Sequence, residues 1–341
     1  MSIKSRKIEH IEKALLEGSD REWCFFDNYH FEHNALPEID FHTIETKSIF
    51  LEKKLTAPII IASMTGGDPE LDVYNKILAE AAEKKGIALA IGSQRIMLED
   101  EARKISFENI KQYAQSIPLL ANIGAVQLNY DVTPSCCQEI IDTLKADALC
   151  IHLNPMQEVL QKEGNSNFSN LLNKIKEVLD YINVPIIIKE VGCGISVSVA
   201  EKLRKIGIKY IDIAGLGGTS WNYIEAKREN QDTVFADWGI PTPEAIAQCS
   251  KLEGIQIIGG GGIRSGLDIA KAIALGANYV SIGLPFLQAA KISQTAVENL
   301  IDKYIHELKV SMFGVGAKKL EELQKIGLTH RSAPTRYQDD T

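Results

Sequence analysis

Several groups of residues in the chain could do chemistry by their type and spacing. The four glycines Gly259–Gly262, followed by Ile263, Arg264, Ser265 and Gly266, would let backbone N–H groups approach an anion at the start of a helix. A tight turn that merely needs glycine is the simpler alternative. Lys189 ends the apolar run PIIIK, where an ammonium needs a partner because an unpaired buried charge is costly. Glu190 is one candidate partner, but adjacent strand residues point to opposite faces, so Lys189 is expected to face inward. His152, Asn154, Gln157 and Glu158 fall within seven residues and bring together an imidazole, two amides and a carboxylate. A single carboxylate with amides is a poor all-protein cage, yet it suits Mg²⁺, which keeps waters and takes further ligands from substrate phosphates. The alternatives are a satisfied core histidine for His152 and a solvated helix cap for Glu158. Arg95, closing the segment GSQR, could grip a phosphate in bidentate fashion. Arg6, Lys7 and His10 lie in SRKIEHIEKALL, whose periodicity is helical and which by itself also fits a solvated charged face.

These residues need a scaffold that gathers them, and the apolar pattern supplies one. Eight short apolar runs recur at Ala57–Ser63, Ile87–Ile91, Pro118–Ile123, Ala148–His152, Pro185–Lys189, Tyr210–Ala214, Ile255–Gly259 and Tyr279–Ile282. They start 24 to 45 residues apart, room for one crossover helix each time, and runs apolar on both faces suit a parallel sheet covered by helices. The pieces LDVYNKILAEAAEKK, TPSCCQEIIDTLKAD, FSNLLNKIKEVLDYI and SVSVAEKLRKIG carry the i, i+3, i+4 apolar spacing of such helices. Eight βα units predict an α/β fold, a closed (β/α)₈ TIM barrel, over an open doubly wound sheet. The pattern divides a single domain of 341 residues into an N-terminal extension (1–56), the barrel (57–290) and C-terminal helices and tail (291–341). The widest gap predicts a long loop over residues 215–242. A barrel puts its reactive groups at the C-terminal strand ends, and these read SMTGG, GSQR, Asn122, HLNPMQE, KEVGCG, AGLGGTSW, GGGGIRSG and GLP. Loops after strands seven and eight frequently build this fold's phosphate site.

Composition narrows the function classes. Lys and Arg number 37 against 45 Asp and Glu, a net charge of −8 that argues against a surface built for nucleic acid. An anionic ligand must be met by a local cluster of donors. No run approaches the ~18–20 apolar residues of a membrane span, and MSIKSRKIEHIEK lacks the apolar core of a signal peptide, so a soluble, cytoplasmic protein is expected. The six cysteines show no metal spacing and are read as reduced.

Taken together, SRKIEHI, ASMTGG, IGSQR, ANIGAVQL, HLNPMQE, IIKEVGCGIS, AGLGGTSW, DWGIPT and GGGGIRSGLD closely resemble the type 2 isopentenyl-diphosphate isomerases, in the right order across essentially the whole chain. The resemblance implies an FMN-binding flavoprotein of isoprenoid biosynthesis that interconverts isopentenyl and dimethylallyl diphosphate. It also implies a requirement for Mg²⁺, reduction of the flavin by NADPH or NADH, and assembly as a homotetramer or homo-octamer. Arg6, Lys7 and His10 then correspond to substrate ligands, with Ser93, Gln94 and Arg95, and His152, Asn154 and Gln157 line the substrate pocket. Glu158 corresponds to the Mg²⁺ ligand. The FMN positions are Ala62, Ser63, Met64, Thr65, Ser93, Asn122, Lys189, Thr219, Gly261, Gly262, Ile263, Arg264, Gly283 and Leu284.

In that family reduced FMN itself serves as acid and base. Next to such a flavin, Lys189 is expected to hold the negative charge of the reduced ring, with Gln157 and His152 as further catalytic candidates. Two rivals remain. A 2-hydroxy-acid oxidase on the same scaffold wants a His–Gly pair, and none of His10, His30, His33, His42, His152, His306 and His330 is followed by Gly. A non-catalytic phosphate-ligand sensor would leave the crowded polar strand ends without a use.

Overall fold

The computed structural model describes residues 13, 24–64 and 70–331. Each of the eight apolar runs holds one parallel strand: Ile59–Ile61, Ala88–Ala90, Leu119–Gly124, Ala148–Leu153, Ile186–Glu190, Tyr210–Asp212, Gln256–Gly260 and Tyr279–Ile282. The eighth strand pairs back onto the first, with Val280 against Ile59 and Ile282 against Ile61, so the sheet closes into a barrel. Closure leaves no exposed edge. Helices fall where the periodicity puts them, at Asp72–Lys85, Pro134–Leu144, Leu171–Tyr181 and Val197–Lys205. Their ends follow local chemistry. Ser196 and Ser265 accept N–H groups from Val199 and Asp268 as N-caps, and Gly86 ends the first helix with φ of 66°.

The two-residue period of the strands decides what faces the barrel axis. Ile60, Leu120, Cys150, Ile187 and Ile258 share one inner cluster, whereas Ile59, Ile61, Leu119, Ile151, Ile186, Ile188 and Ile257 join the outer core beneath the helices. Two residues further along, the same inward face turns polar: Asn122, His152, Lys189, Gly260 and, from the neighbouring strands, Asp212 and Ser281. An apolar plug below and a polar layer above are therefore written into consecutive inward positions.

The bottom is closed by the hairpin Ser48–Phe50/Lys53–Leu55, which inserts Phe50 against Tyr210 and Tyr279, the first residues of their strands, with ring centroids 5.9 and 4.5 Å away. Tyr279 donates its hydroxyl to the Ile49 carbonyl (2.5 Å), and Lys53 reaches Asp147 (2.7 Å). The turn residues Leu51 and Glu52 have φ of 48° and 64°. Non-glycine residues adopt that region only when the surroundings over-determine it, and here the buried ring does so.

The segment 215–242 is not the plain loop its length suggests. Ser220 accepts the Tyr223 N–H and starts a helix, Trp221–Arg228, and Leu216 bridges to Pro241. The end segments meet on the outside, where Tyr29–Phe31 pairs antiparallel with Leu328–His330. The 21-residue helix Gln294–Gly314 packs on Gly266–Ala274, where a Cβ at Gly266 would meet the Tyr304 carbonyl oxygen at 2.3 Å. Glycine there lets the helix after the glycine run approach its neighbour. Replacing Phe50 with Ala empties a fully enclosed site, and urea unfolding should show about 3–5 kcal/mol less stability.

Candidate active site

A cavity of about 220 Å³ opens at the C-terminal ends of the strands. It is walled by Ala62, Ser63, Met64, Ser93, Asn122, Lys189, Thr219, Gly261, Gly262, Ile263, Arg264, Gly283 and Leu284, every described residue expected to face a flavin, with His152, Gln157, Ser281 and Trp221 beside them. Thr65, Arg6, Lys7 and His10 lie outside the described residues. No aspartate or glutamate is among the lining residues that are described.

One side of the cavity carries two hydrogen-bonded groups set side by side in register. Asn122 donates to Ser63 Oγ (3.1 Å) and accepts, through Oδ1, from His152 Nδ1 (2.8 Å). That leaves His152 Nε2 as an acceptor. Burial first, and the Lys189 charge second, lower the His152 pKa from 6.5 to about 4, so the ring is neutral at pH 7. Lys189 stands opposite His152 in register and opposite Asp212 on its other side. Its Nζ lies 3.2 Å from Asp212 Oδ2, and Ser281 Oγ donates to the same carboxylate at 2.9–3.0 Å. The partner of Lys189 is thus Asp212, not Glu190. Glu190 faces the other way and accepts N–H groups from Val191, Gly192, Cys193 and Gly194 on one oxygen. Burial pushes its carboxyl up to about 7 while those four donors pull it down, and its grip shapes the loop that walls the cavity beside Lys189.

Glycines make the opposite wall. A Cβ on Gly260 would collide with Ser281 Oγ at 2.3 Å and Asp212 Oδ1 at 2.7 Å, so this position leaves room for the aspartate and its serine donor. Gly261 and Gly262 have φ of 96° and 79° and would place a Cβ 2.2 and 2.6 Å from the carbonyl oxygens of Gly215 and Gly217. Arg264 donates to the carbonyls of Gly262 (3.0 Å) and Gly217 (2.9 Å) and ties these two loops together. The resulting cradle of backbone and guanidinium, at the start of one helix and next to Gly283 at the start of another, fits a phosphate-tailed cofactor. The ring of amide, imidazole and ammonium fits the polar edge of its heterocycle.

A second polar group lies at the rim, after strand four. Asn154 Nδ2 donates to Gln157 Oε1 and Glu158 Oε1 (both 3.1 Å), and Glu158 Oε2 accepts the Asn165 backbone N–H (2.6 Å). Asn154 Oδ1 is buried and has no hydrogen-bond partner among the described residues. An unused carbonyl oxygen beside a carboxylate is the donor chemistry of a hard divalent cation that completes its shell with water and phosphate. Among the described residues, the three-group cluster able to hold a metal is elsewhere, at Cys24, Asp27 and Asp268, and its Asp268 is already engaged as a cap for the Arg264 N–H and Ser265 hydroxyl.

Not every expected site residue reaches the cavity. Gln94 is fully buried behind the wall, where its Oε1 accepts the Asn122 N–H (2.9 Å). Asn154 is also buried and orients its neighbours. Arg95 stands at the rim, paired with Glu99 (2.7 Å) and donating to Asn165 Oδ1 (3.2 Å). Sequence reading missed Asp212, although a charge inside YIDIA is the same signal as the lysine inside PIIIK. It also missed Glu225, which accepts from Gln157 Nε2 (2.8 Å) and is locked by Arg228 (2.5 Å). Nothing in WNYIEAKR marks that glutamate out, because its role comes from two helices meeting in space.

Comparison with known proteins adds family. A model described as FMN-dependent dehydrogenase matches residues 125–330. Proteins named isopentenyl-diphosphate delta-isomerase match nearly end to end. One from Rickettsia felis is 46% identical over 328 residues, covering 94% of this chain and 95% of that protein. One from Rickettsia bellii is 44% identical over 337 residues, covering 96% and 98%. Among solved structures, lactate oxidase from Pediococcus acidilactici superposes with a TM-score of 0.71 at 17% identity, covering 96% of this chain and 93% of that one. Mandelate oxidase with benzaldehyde gives 0.67 at 16%, covering 97% and 99%. At these identities the structural likeness speaks to the fold alone.

The His152 environment has a consequence for stability. Its folded-state value of about 4 lies below the unfolded 6.5, so the unfolded chain binds more protons in between and stability falls as pH drops through that window. Urea unfolding at stepped pH should show this residue contributing up to about 3 kcal/mol of that loss, and His152→Gln should remove the contribution.

Proposed function

The chain belongs to the isopentenyl-diphosphate delta-isomerase family, and from that premise we propose that it interconverts isopentenyl and dimethylallyl diphosphate using FMN, reduced by NADPH or NADH, and Mg²⁺. The observation that carries this reading is a cavity walled by a glycine cradle and a neutral polar layer, with no described carboxylate lining it. Shifting an alkene requires one proton added and another removed, with positive charge building in between. His152, held neutral, is a hydrogen-bonding group at pH 7, and Lys189 is already engaged by Asp212. The protein therefore offers few strong acids or bases of its own at the reacting carbons.

When bound, reduced FMN supplies the proton-exchanging atom and a negative charge facing the substrate. The chain's residues arrange it. Gly261, Gly262 and Arg264 would bind the phosphate end, Asn122 and Ser93 would orient the ring by neutral hydrogen bonds, and Lys189 would oppose the charge on the reduced ring. Met64, Trp221 and Leu284 contribute apolar surface to the cavity wall, against which charge effects are stronger than in bulk water. Glu158, oriented by Asn154, would hold Mg²⁺, whose charge would offset that of the diphosphate. Gln157, held by Asn154 and Glu225, is assigned in this reading to position the alkene or relay a proton. Arg6, Lys7 and His10 complete the diphosphate site in this reading, within a homo-oligomer.

The reaction changes no oxidation state, and this separates it from a 2-hydroxy-acid oxidase or a ligand sensor. Dimethylallyl diphosphate formed from isopentenyl diphosphate is titrated against limiting NADPH under anaerobic conditions. Many turnovers per reductant are expected, whereas one would mean net oxidoreduction and none would mean a sensor.

A further inference from the structure

Arg95 and Glu158 carry opposite charges and meet at the same residue. Glu158 Oε2 accepts the Asn165 backbone N–H at 2.6 Å, and Arg95 Nη1 donates to Asn165 Oδ1 at 3.2 Å. A guanidinium and a carboxylate that share a neighbour could pair with each other. Here they do not: Arg95 pairs with Glu99 at 2.7 Å, and Glu158 is held by Asn154 and Asn165. We propose that Asn165 is a positioning residue that keeps Arg95 and Glu158 adjacent but apart, leaving the guanidinium for diphosphate oxygens and the carboxylate for the accompanying divalent cation. The inference rests on the reading above that a diphosphate and Mg²⁺ meet at this rim.

An asparagine suits the task because it is neutral and two-faced. Its carbonyl oxygen accepts from Arg95 and also from Gln127 Nε2 (3.3 Å), and its backbone N–H serves the carboxylate. It therefore satisfies both charges without neutralising either. The loop that carries it is fastened at both ends. Gly164 lies so close to the preceding helix that a Cβ would fall 1.9 Å from the Glu158 carbonyl oxygen, and Asn129 Nδ2 donates to the carbonyls of Asn167 (2.7 Å) and Ser169 (2.8 Å).

The test is equilibrium binding of inorganic pyrophosphate to the FMN-loaded protein with Mg²⁺, read by calorimetry. Asn165→Ala keeps the backbone N–H to Glu158 and removes the hold on Arg95. It should weaken pyrophosphate about tenfold, the effect of losing one hydrogen bond to a charged group, with KM for isopentenyl diphosphate raised, kcat little changed, and FMN affinity unchanged. Unaltered pyrophosphate affinity, or an equal loss of FMN, would overturn the proposal. So would an equal weakening in Asn129→Ala, which loosens the loop without touching Arg95. A wild-type protein that takes up no pyrophosphate overturns the functional reading itself, and this inference with it.

Discussion

An ammonium inside a barrel must be neutralised where it stands, and this constraint organises the upper half of the molecule. Lys189 meets Asp212 at 3.2 Å, Ser281 completes the carboxylate's hydrogen bonding, and all three are buried. Asp212 and Ser281 come from strands six and eight and can share the intervening space only because strand seven has Gly260 between them. A buried pair of this kind contributes little net stability, since desolvation offsets most of the attraction. Its value lies in fixing a charge at a chosen point on the cavity wall. The same charge helps keep His152 neutral, and the Asn122 Oδ1 acceptor then selects the tautomer with its proton on Nδ1.

The glycine run is consequently three devices in one stretch. Gly260 clears room for Asp212 and Ser281, Gly261 and Gly262 adopt the left-handed backbone that brings the loop against Gly215 and Gly217, and Gly266, four residues past the run, admits the helix against Tyr304. Arg264 then locks the loops through carbonyls rather than standing free as a lone cation. Two carbonyl contacts from one guanidinium hold the loops together within the protein's own structure, the kind of preorganisation that lowers the ordering cost of binding.

Much of this was legible in the residues. Strand positions follow from apolar runs between turn signals, because a parallel strand buried on both faces leaves an unbroken signature. Lys189 facing inward follows from the alternation of strand side chains. The pairing of Lys189 with Asp212 was not legible, since strand neighbours 23 residues apart in sequence are related only by register. Gln94 illustrates the opposite failure: its place in GSQR suggests a ligand, but the amide turns inward to serve the Asn122 backbone. The helix Trp221–Arg228 was hidden in a span read as loop because its apolar face is interrupted by Glu225 and Arg228, charges that make sense only once Gln157 and Glu163 are beside them.

The central claim is that Lys189 and the glycine cradle hold the two ends of one flavin inside the barrel mouth. A crystal structure of the protein loaded with FMN tests it most directly. The account predicts the phosphate on the backbone of Gly261 and Gly262, and the pyrimidine edge of the ring within hydrogen-bond distance of Lys189 Nζ. A flavin seated anywhere else, or a ring turned so that Lys189 faces only Asp212, would contradict it.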